Sequence, residues 1–388
     1  MVRLGDICKF QSGGTPSKSN PDYFGGTIPW ITTIALTGNI INETNAVQWI
    51  TPKAIQETAA KIVPEYSIMV GTRVGVGKIA INSVPMSTSQ DVVSLINIDS
   101  ERWDKEYLCK LILSRNNYLL SQARGATIKG IKIDILAELI IPDVPLSEQR
   151  RIAATLDKVT DLISKRRQQL DKLDELVKAR FVEMFGDTVI NPHELPSVCL
   201  SNFADIVSGI TKGRKTSGEE LFEVPYMAVS NVKSGYIDWT TVKTIEATKS
   251  EIEQYRLQSF DVLMTEGGDP DKLGRGAIIQ NPPKDCIHQN HIFRVRVDSS
   301  RLLPQYLEEY LQHPKAKKYF LSCAKQTTGI ASINMTQLRN LPVLLPSLEQ
   351  QKQFSAIVEQ IDQHKLTIQR SLDKMETLKK ALMQQYFD

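Results

Sequence analysis

The sequence predicts an α+β protein. Two mixed α/β domains are separated by two long helices packed as an antiparallel coiled coil, an internal duplication about a pseudo-two-fold axis. Three observations predict it. The chain matches itself at an offset of about 200 residues, two stretches carry an apolar heptad, and the remaining stretches mix strand-like with helix-like patterns.

The self-match opens with residues 4–13 (LGDICKFQSG) against 200–209 (LSNFADIVSG), an offset of 196. The same offset pairs Ile28-Pro29-Trp30 with Val224-Pro225-Tyr226, and Gly77-Lys78-Ile79-Ala80 faces Gly274-Arg275-Gly276-Ala277. Gln90, Asp99, Tyr107 and Leu108 meet Gln289, Asp298, Tyr306 and Leu307 at 199. Small loop insertions account for the drift. The ends of the two copies match best, at 202 without a gap, from Leu146, Gln149 and Ala154 to Phe185 against Leu348, Gln351 and Ala356 to Phe387. Chance does not produce such an ungapped block. Two copies make a pseudo-dimer within one chain, since a solenoid needs three or more repeats.

These closing blocks read as helices. Ile152, Leu156, Val159, Ile163, Arg166, Leu170, Leu173 and Val177 follow a 4-3-4-3-4-3-4 spacing, the seam of a coiled coil. Phe354, Val358, Ile361, Lys365, Ile368, Leu372 and Met375 repeat it. Pro145 and Pro346 stand just before the two helices, where a proline is tolerated. Arg166 and Lys365 put charge into the seam, a device that fixes register and partner at some cost in stability. The resulting boundaries are 1–143 and 188–346 for the domains, 144–187 and 347–388 for the helices. Within the domains, IPWITTIAL, SQDVVSLINI and HIFRVRV read as strands, whereas DKEYLCKLILS and PQYLEEYLQH have helical spacing. Trp30 and Tyr226 are expected in the core.

Composition narrows the class. Hydrophobic residues make up 41% and charged residues 23%, ordinary for a globular chain. No apolar run approaches a membrane span, and Asp6 and Lys9 interrupt any leader-like stretch at the start. Cys8, Cys109, Cys199, Cys286 and Cys323 are odd in number and scattered, which points to a reducing, cytoplasmic compartment without disulfides. A net charge of +3 permits nucleic-acid binding without demonstrating it.

SGGTPSKSNPDYFGGTIPW (residues 12–30), PLSEQRRIAATLD (145–157), and SGITKGRK with VPYMAVSNVKSGYID in the second copy resemble the specificity subunits of type I restriction-modification systems. The resemblance covers essentially the whole chain. It implies a subunit without catalytic activity that reads a bipartite double-stranded DNA site, one target recognition domain per half-site, with the gap set by the helices. It also implies partners: two methyltransferase subunits carrying S-adenosylmethionine and two ATP-driven restriction subunits, with no cofactor in this chain. A specificity subunit of a related methyltransferase-based phage-defence system is the alternative, as is a stand-alone duplicated DNA-binding protein or a coiled-coil scaffold.

Base reading needs Arg, Lys, Asn or Gln at the groove, with phosphate contacts for position. In the first copy Arg73 and Lys78, on the glycine-rich loop GTRVGVGK, are candidates, with Lys18, Thr88 and Gln90. In the second, Lys212, Arg214 and Lys215 form the most basic loop; Lys272 and Arg275 stand in the loop equivalent to 71–78. His288, Gln289 and Asn290 match Ser89, Gln90 and Asp91. Solvated surface charge is the plainer account of each residue taken alone.

Catalytic motifs fail on inspection. GTRVGVGK lacks P-loop glycine spacing, and Ile79 follows Lys78 where a magnesium-binding hydroxyl is needed. Asn281-Pro282-Pro283-Lys284 has lysine where an adenine methyltransferase needs an aromatic to stack on the flipped base; it reads as a turn. Cys286, His288 and His291 lack a fourth metal ligand.

Overall fold

The computed structural model describes residues 1–387 apart from 39, 126–128, 216–217, 270–272 and 328–329. The chain divides into two compact units, one of Met1–Arg167 with Arg370–Asp388, the other of Gln168–Gln369. The long helices run Leu146–Phe185 and Leu348–Phe387, 40 residues each. Each unit therefore holds one half of each helix.

In the first unit, one sheet has the order Lys9–Ser12, Val92–Ile96, Ile68–Gly71, Ile79–Asn82, Ile40–Ile41. Val92–Ile96 and its neighbour Ile68–Gly71 are almost wholly buried, which explains their unbroken rather than alternating apolar sequence. A second sheet runs Gln48–Ile50, Phe24–Ile31, Met86–Thr88, Ile62–Val63, with its central pair parallel. Helices Lys105–Ser114, Asn116–Gln122 and Ile133–Ala137 follow. Leu4, Ile68, Val70, Leu95, Tyr107 and Leu108 share one core with Ile152 and Leu156 of the first long helix and Phe387 of the second.

The second unit repeats this path. Its sheet order is Ala204–Ser208, Ile292–Val297, Val262–Thr265, Gly276–Ile278. A companion sheet sets Leu221–Met227 parallel to Ile287–His288. Helices Pro304–Gln312, Pro314–Cys323 and Met335–Arg339 then take the places of the three above. Here Phe181 and Phe185 join Phe354, Val358, Ile361 and Tyr306 in the core.

Two matched residues show why both copies fold alike. The amide of Gln149 donates to the Arg102 and Val144 carbonyls (3.0 and 2.9 Å) and accepts from Asp104 N (2.9 Å). Gln351 does the same with Arg301, Pro346 (both 3.1 Å) and Leu303 N (2.8 Å). Each glutamine is buried with its polar atoms satisfied, so it pins the start of a long helix to the domain before it. Gly13 and Gly209 are the second pair. A Cβ there would stand 2.2 Å from the Ser89 carbonyl oxygen and 1.9 Å from that of His288, so the chain passes only without a side chain.

The helices run antiparallel in each unit. In the first, the Arg151 guanidinium lies over the Tyr386 ring (5.9 Å) and Arg167 pairs with Glu376 (2.6 Å). In the second, Phe181 meets Phe354 edge-on (5.5 Å), and Lys365 pairs with Asp174. Ile152, Leu156, Val159, Ile163, Val177, Phe354, Val358, Ile361 and Leu372 are buried, while Leu170, Leu173, Ile368 and Met375 are half-buried, as the heptads require.

Candidate nucleic-acid interface

The loop bearing Arg73 and Lys78 is a hairpin turn between strands Ile68–Gly71 and Ile79–Asn82. Gly75 and Gly77 both take φ of +80°, which favours glycine. Three backbone bonds close it: Gly71 N to Lys78 O (2.7 Å), Gly77 N to Gly71 O (3.0 Å) and Lys78 N to Gly75 O (3.1 Å). No helix follows, which removes the last feature of a phosphate-binding P-loop. Arg73 and Lys78 are both exposed. The hairpin is anchored by Thr72, whose N–H donates to Asp91 O (2.9 Å) and whose carbonyl accepts from Ile131 N (2.8 Å). That second bond brings Arg124 and Lys132 beside Arg73, a neighbourhood that spacing in the sequence did not reveal.

Lys18 and Gln90 are also exposed, and Gln90 N donates to Thr15 Oγ1 (3.4 Å), linking their two loops. Thr88 requires correction: it is fully buried in strand Met86–Thr88, where no base edge can reach it.

In the second unit Lys212 and Lys215 are exposed, but the Arg214 between them is held by the fold. Its guanidinium pairs with Glu251 and donates to the Glu246 carbonyl (3.0 Å). Glu251 in turn accepts from Thr248 N (2.9 Å) at the start of helix Lys249–Tyr255. The Arg214 hydrogen bond holds Glu251 below the usual carboxylate range. Arg275 is half-buried, with its Nε lacking a hydrogen-bond partner among the described residues. Lys272 lies outside the described residues.

His288 is the clearest correction. It is fully buried, with Nδ1 3.1 Å from the Tyr255 carbonyl and Nε2 3.3 Å from that of Val207. Burial lowers its pKa to about 4, so the ring is neutral at pH 7. Gln289 and Asn290 are half-buried; Gln289 Oε1 accepts from Val229 N (3.3 Å). The structure also moves the register between copies. Ser89 N bonds Ile31 O as Gln289 N bonds Met227 O, so Gln289 matches Ser89 and His288 matches Thr88. Asp99 and Asp298 hold the equivalent bonds from Trp103 N and Leu302 N, so the offset falls from 200 to 199 after the strand.

The remaining motif residues are structural. Asn281 (φ +48°) begins a turn that Cys286 N closes on Pro283 O (3.1 Å). His291 pairs with Glu266 rather than joining Cys286 and His288, and no group of metal ligands forms among the described residues. Trp30 and Tyr226 are buried; Trp30 Nε1 donates to Gly14 O (3.0 Å).

Two units of one topology, each with a basic loop at its rim, thus share a scaffold but not their exposed side chains. A family model for the type I restriction modification DNA specificity domain matches residues 1–174 and again 193–377. The chain belongs to this family. Among its relatives, the EcoKI specificity subunit of Escherichia coli K12 is 24% identical over 343 residues, covering 83% of this chain and 73% of that one. The MjaIX specificity subunit of Methanocaldococcus jannaschii is 24% identical over 399 residues, 98% and 90% of the two chains. The crystal structure of a type I system S subunit from M. genitalium shares the fold of this specificity-domain chain, with TM-score 0.56 at 16% identity, covering 100% of this chain and 95% of that one. A chain from a structure on assembly and conformational transition of a type I system gives TM-score 0.62 at 19% identity, covering 100% and 96%.

Proposed function

We propose that the chain is the DNA-reading subunit of a type I restriction-modification complex, each unit reading one half of a split sequence. The observation that carries this reading is the coincidence of two matched specificity domains with two structural copies sharing the Gln149 and Gln351 clamps but differing at their rims. A common scaffold with dissimilar loops suits two different half-sites. The helices, 40 residues each, are about 60 Å long at about 1.5 Å per residue. That length suits half-sites separated by roughly one duplex turn, ~34 Å, or somewhat more.

In this reading the subunit performs no chemistry. Two methyltransferase subunits bring S-adenosylmethionine, and two restriction subunits bring ATP-driven cleavage, in the cytoplasm. Methylome sequencing of the host with and without the gene tests the reading: one bipartite adenine-methylated motif should vanish with it. Loss of no motif, or methylation by the purified chain alone, sinks it. Inserting one heptad into each long helix should widen the gap and leave both half-sites unchanged; an altered half-site at an unchanged gap would count against the helices as the spacer.

A further inference from the structure

In the first unit, a cleft of about 510 Å³ lies between the hairpin of Arg73 and the segment around Gly130. Arg73, Arg124 and Lys132 line it with Gln122. All three cations are exposed, and none forms an ion pair among the described residues. The cleft floor is fixed by backbone: Ile131 N donates to Thr72 O (2.8 Å), while Arg124 and Gly130 exchange N–H···O bonds of 2.9 Å. A Cβ on Gly130 would lie 3.0 Å from the Thr72 carbonyl oxygen and 3.3 Å from Arg73 Cγ, so glycine lets the two segments close.

The second unit builds the same floor with different chemistry. Ile333 N donates to Glu266 O (2.9 Å), which places Glu266 where Thr72 stands and Gly267 where Arg73 stands. Asn334 replaces Lys132 and caps helix Met335–Arg339 through its own side chain. Lys325, which pairs with Ser332 as Arg124 pairs with Gly130, is the one cation the second unit keeps at these three positions. Three cations that line one cleft without an ion pair among the described residues fit an extended polyanion with regularly spaced phosphates.

We infer that Arg73, Arg124 and Lys132 form a phosphate clamp, holding the DNA backbone beside the half-site read by the first unit, a clamp of which the second unit keeps only Lys325 at the matching positions. The clamp supplies affinity and register but not sequence preference. The inference rests on the DNA reading above.

The test is fluorescence anisotropy of the full chain with a labelled duplex of about 30 base pairs and arbitrary sequence, titrated at several salt concentrations. The variant Arg73→Gln, Arg124→Gln, Lys132→Gln should bind roughly 10- to 500-fold more weakly near 0.1 M salt, with a log–log salt slope shallower by about 2–3. The exchange Lys9→Gln, Lys61→Gln, Lys158→Gln, at three exposed lysines that do not line the cleft, should leave the slope nearly unchanged, and both variants should keep the parent's melting temperature. An unaltered slope in the cleft variant, or an equal drop in the control, overturns the clamp while leaving DNA binding intact. A parent chain that binds no duplex overturns both readings.

Discussion

The buried His288 and the half-buried Glu308 of the second unit oppose each other in pH. His288 keeps a folded pKa of about 4 against an ordinary 6.5, so between those values the unfolded chain binds a proton that the folded one refuses. Stability is therefore lost as pH falls from 6.5 toward 4. Glu308 is pushed up to about 7 by burial, which outweighs the hydrogen bond its carboxylate accepts from Ile278 N (2.7 Å). Its folded form holds a proton the unfolded chain has released, so stability is lost as pH rises from about 4.5 through 7. The two slopes nearly cancel. Glu308→Gln should unmask the histidine: its unfolding free energy should climb by on the order of 3 kcal/mol from pH 4 to 6.5. Urea titrations at successive pH values check this, and a flat profile in the variant refutes it. His288 also marks where sequence reading failed. A histidine at a strand end, followed by Gln289 and Asn290, resembles a surface group, because the two carbonyls that satisfy its ring come from residues 33 and 81 positions away. The Gln90–Gln289 pairing failed for another reason: a single deleted residue shifts the register after the strand without disturbing the identities on either side.

The long helices were legible because a seam repeating every 3.5 residues has few other uses, and the charges at 166 and 365 could be placed in it before any partner was known. Asp174 as the partner of Lys365 was not legible, since it lies on the other helix. That pair is partly exposed, with side chains at 28% and 58% of full accessibility, and pairs in such settings contribute about 0–1 kcal/mol. Phe354, by contrast, is fully buried among Phe181, Phe185 and Val358. Lys365→Ala should cost less than about 1 kcal/mol, and Phe354→Ala about 3–5 kcal/mol. Guanidinium denaturation separates these outcomes; equal losses would mean that charge rather than ring packing holds the helices. The rim loops stay harder to read than the seam. Which of their cations reach outward depends on ion pairs such as Arg214–Glu251, made between residues 37 apart.

At the scale of the molecule, the duplication in sequence and the division in space do not coincide. The first unit needs Arg370–Asp388 from the far end of the chain, where Phe387 packs on Tyr107 (ring centroids 5.4 Å apart) beside Leu382 and Met383. Deleting residues 370–388 should therefore raise amide exchange in the sheet of Lys9–Ser12, Val92–Ile96 and Ile68–Gly71, and leave that of Ile292–Val297 protected. Equal loss in both sheets, or in neither, would contradict the division. The same arrangement reverses the order in which the halves become whole during synthesis. The segment Gln168–Gln369 is continuous and leaves the ribosome ahead of Arg370–Asp388. The first half to be translated must wait, with its core open at Tyr107, until Arg370–Asp388 has emerged as well. Released chains truncated after residue 369 should carry a folded second unit and an exposed first one. A premature stop there would strip the half that was made first.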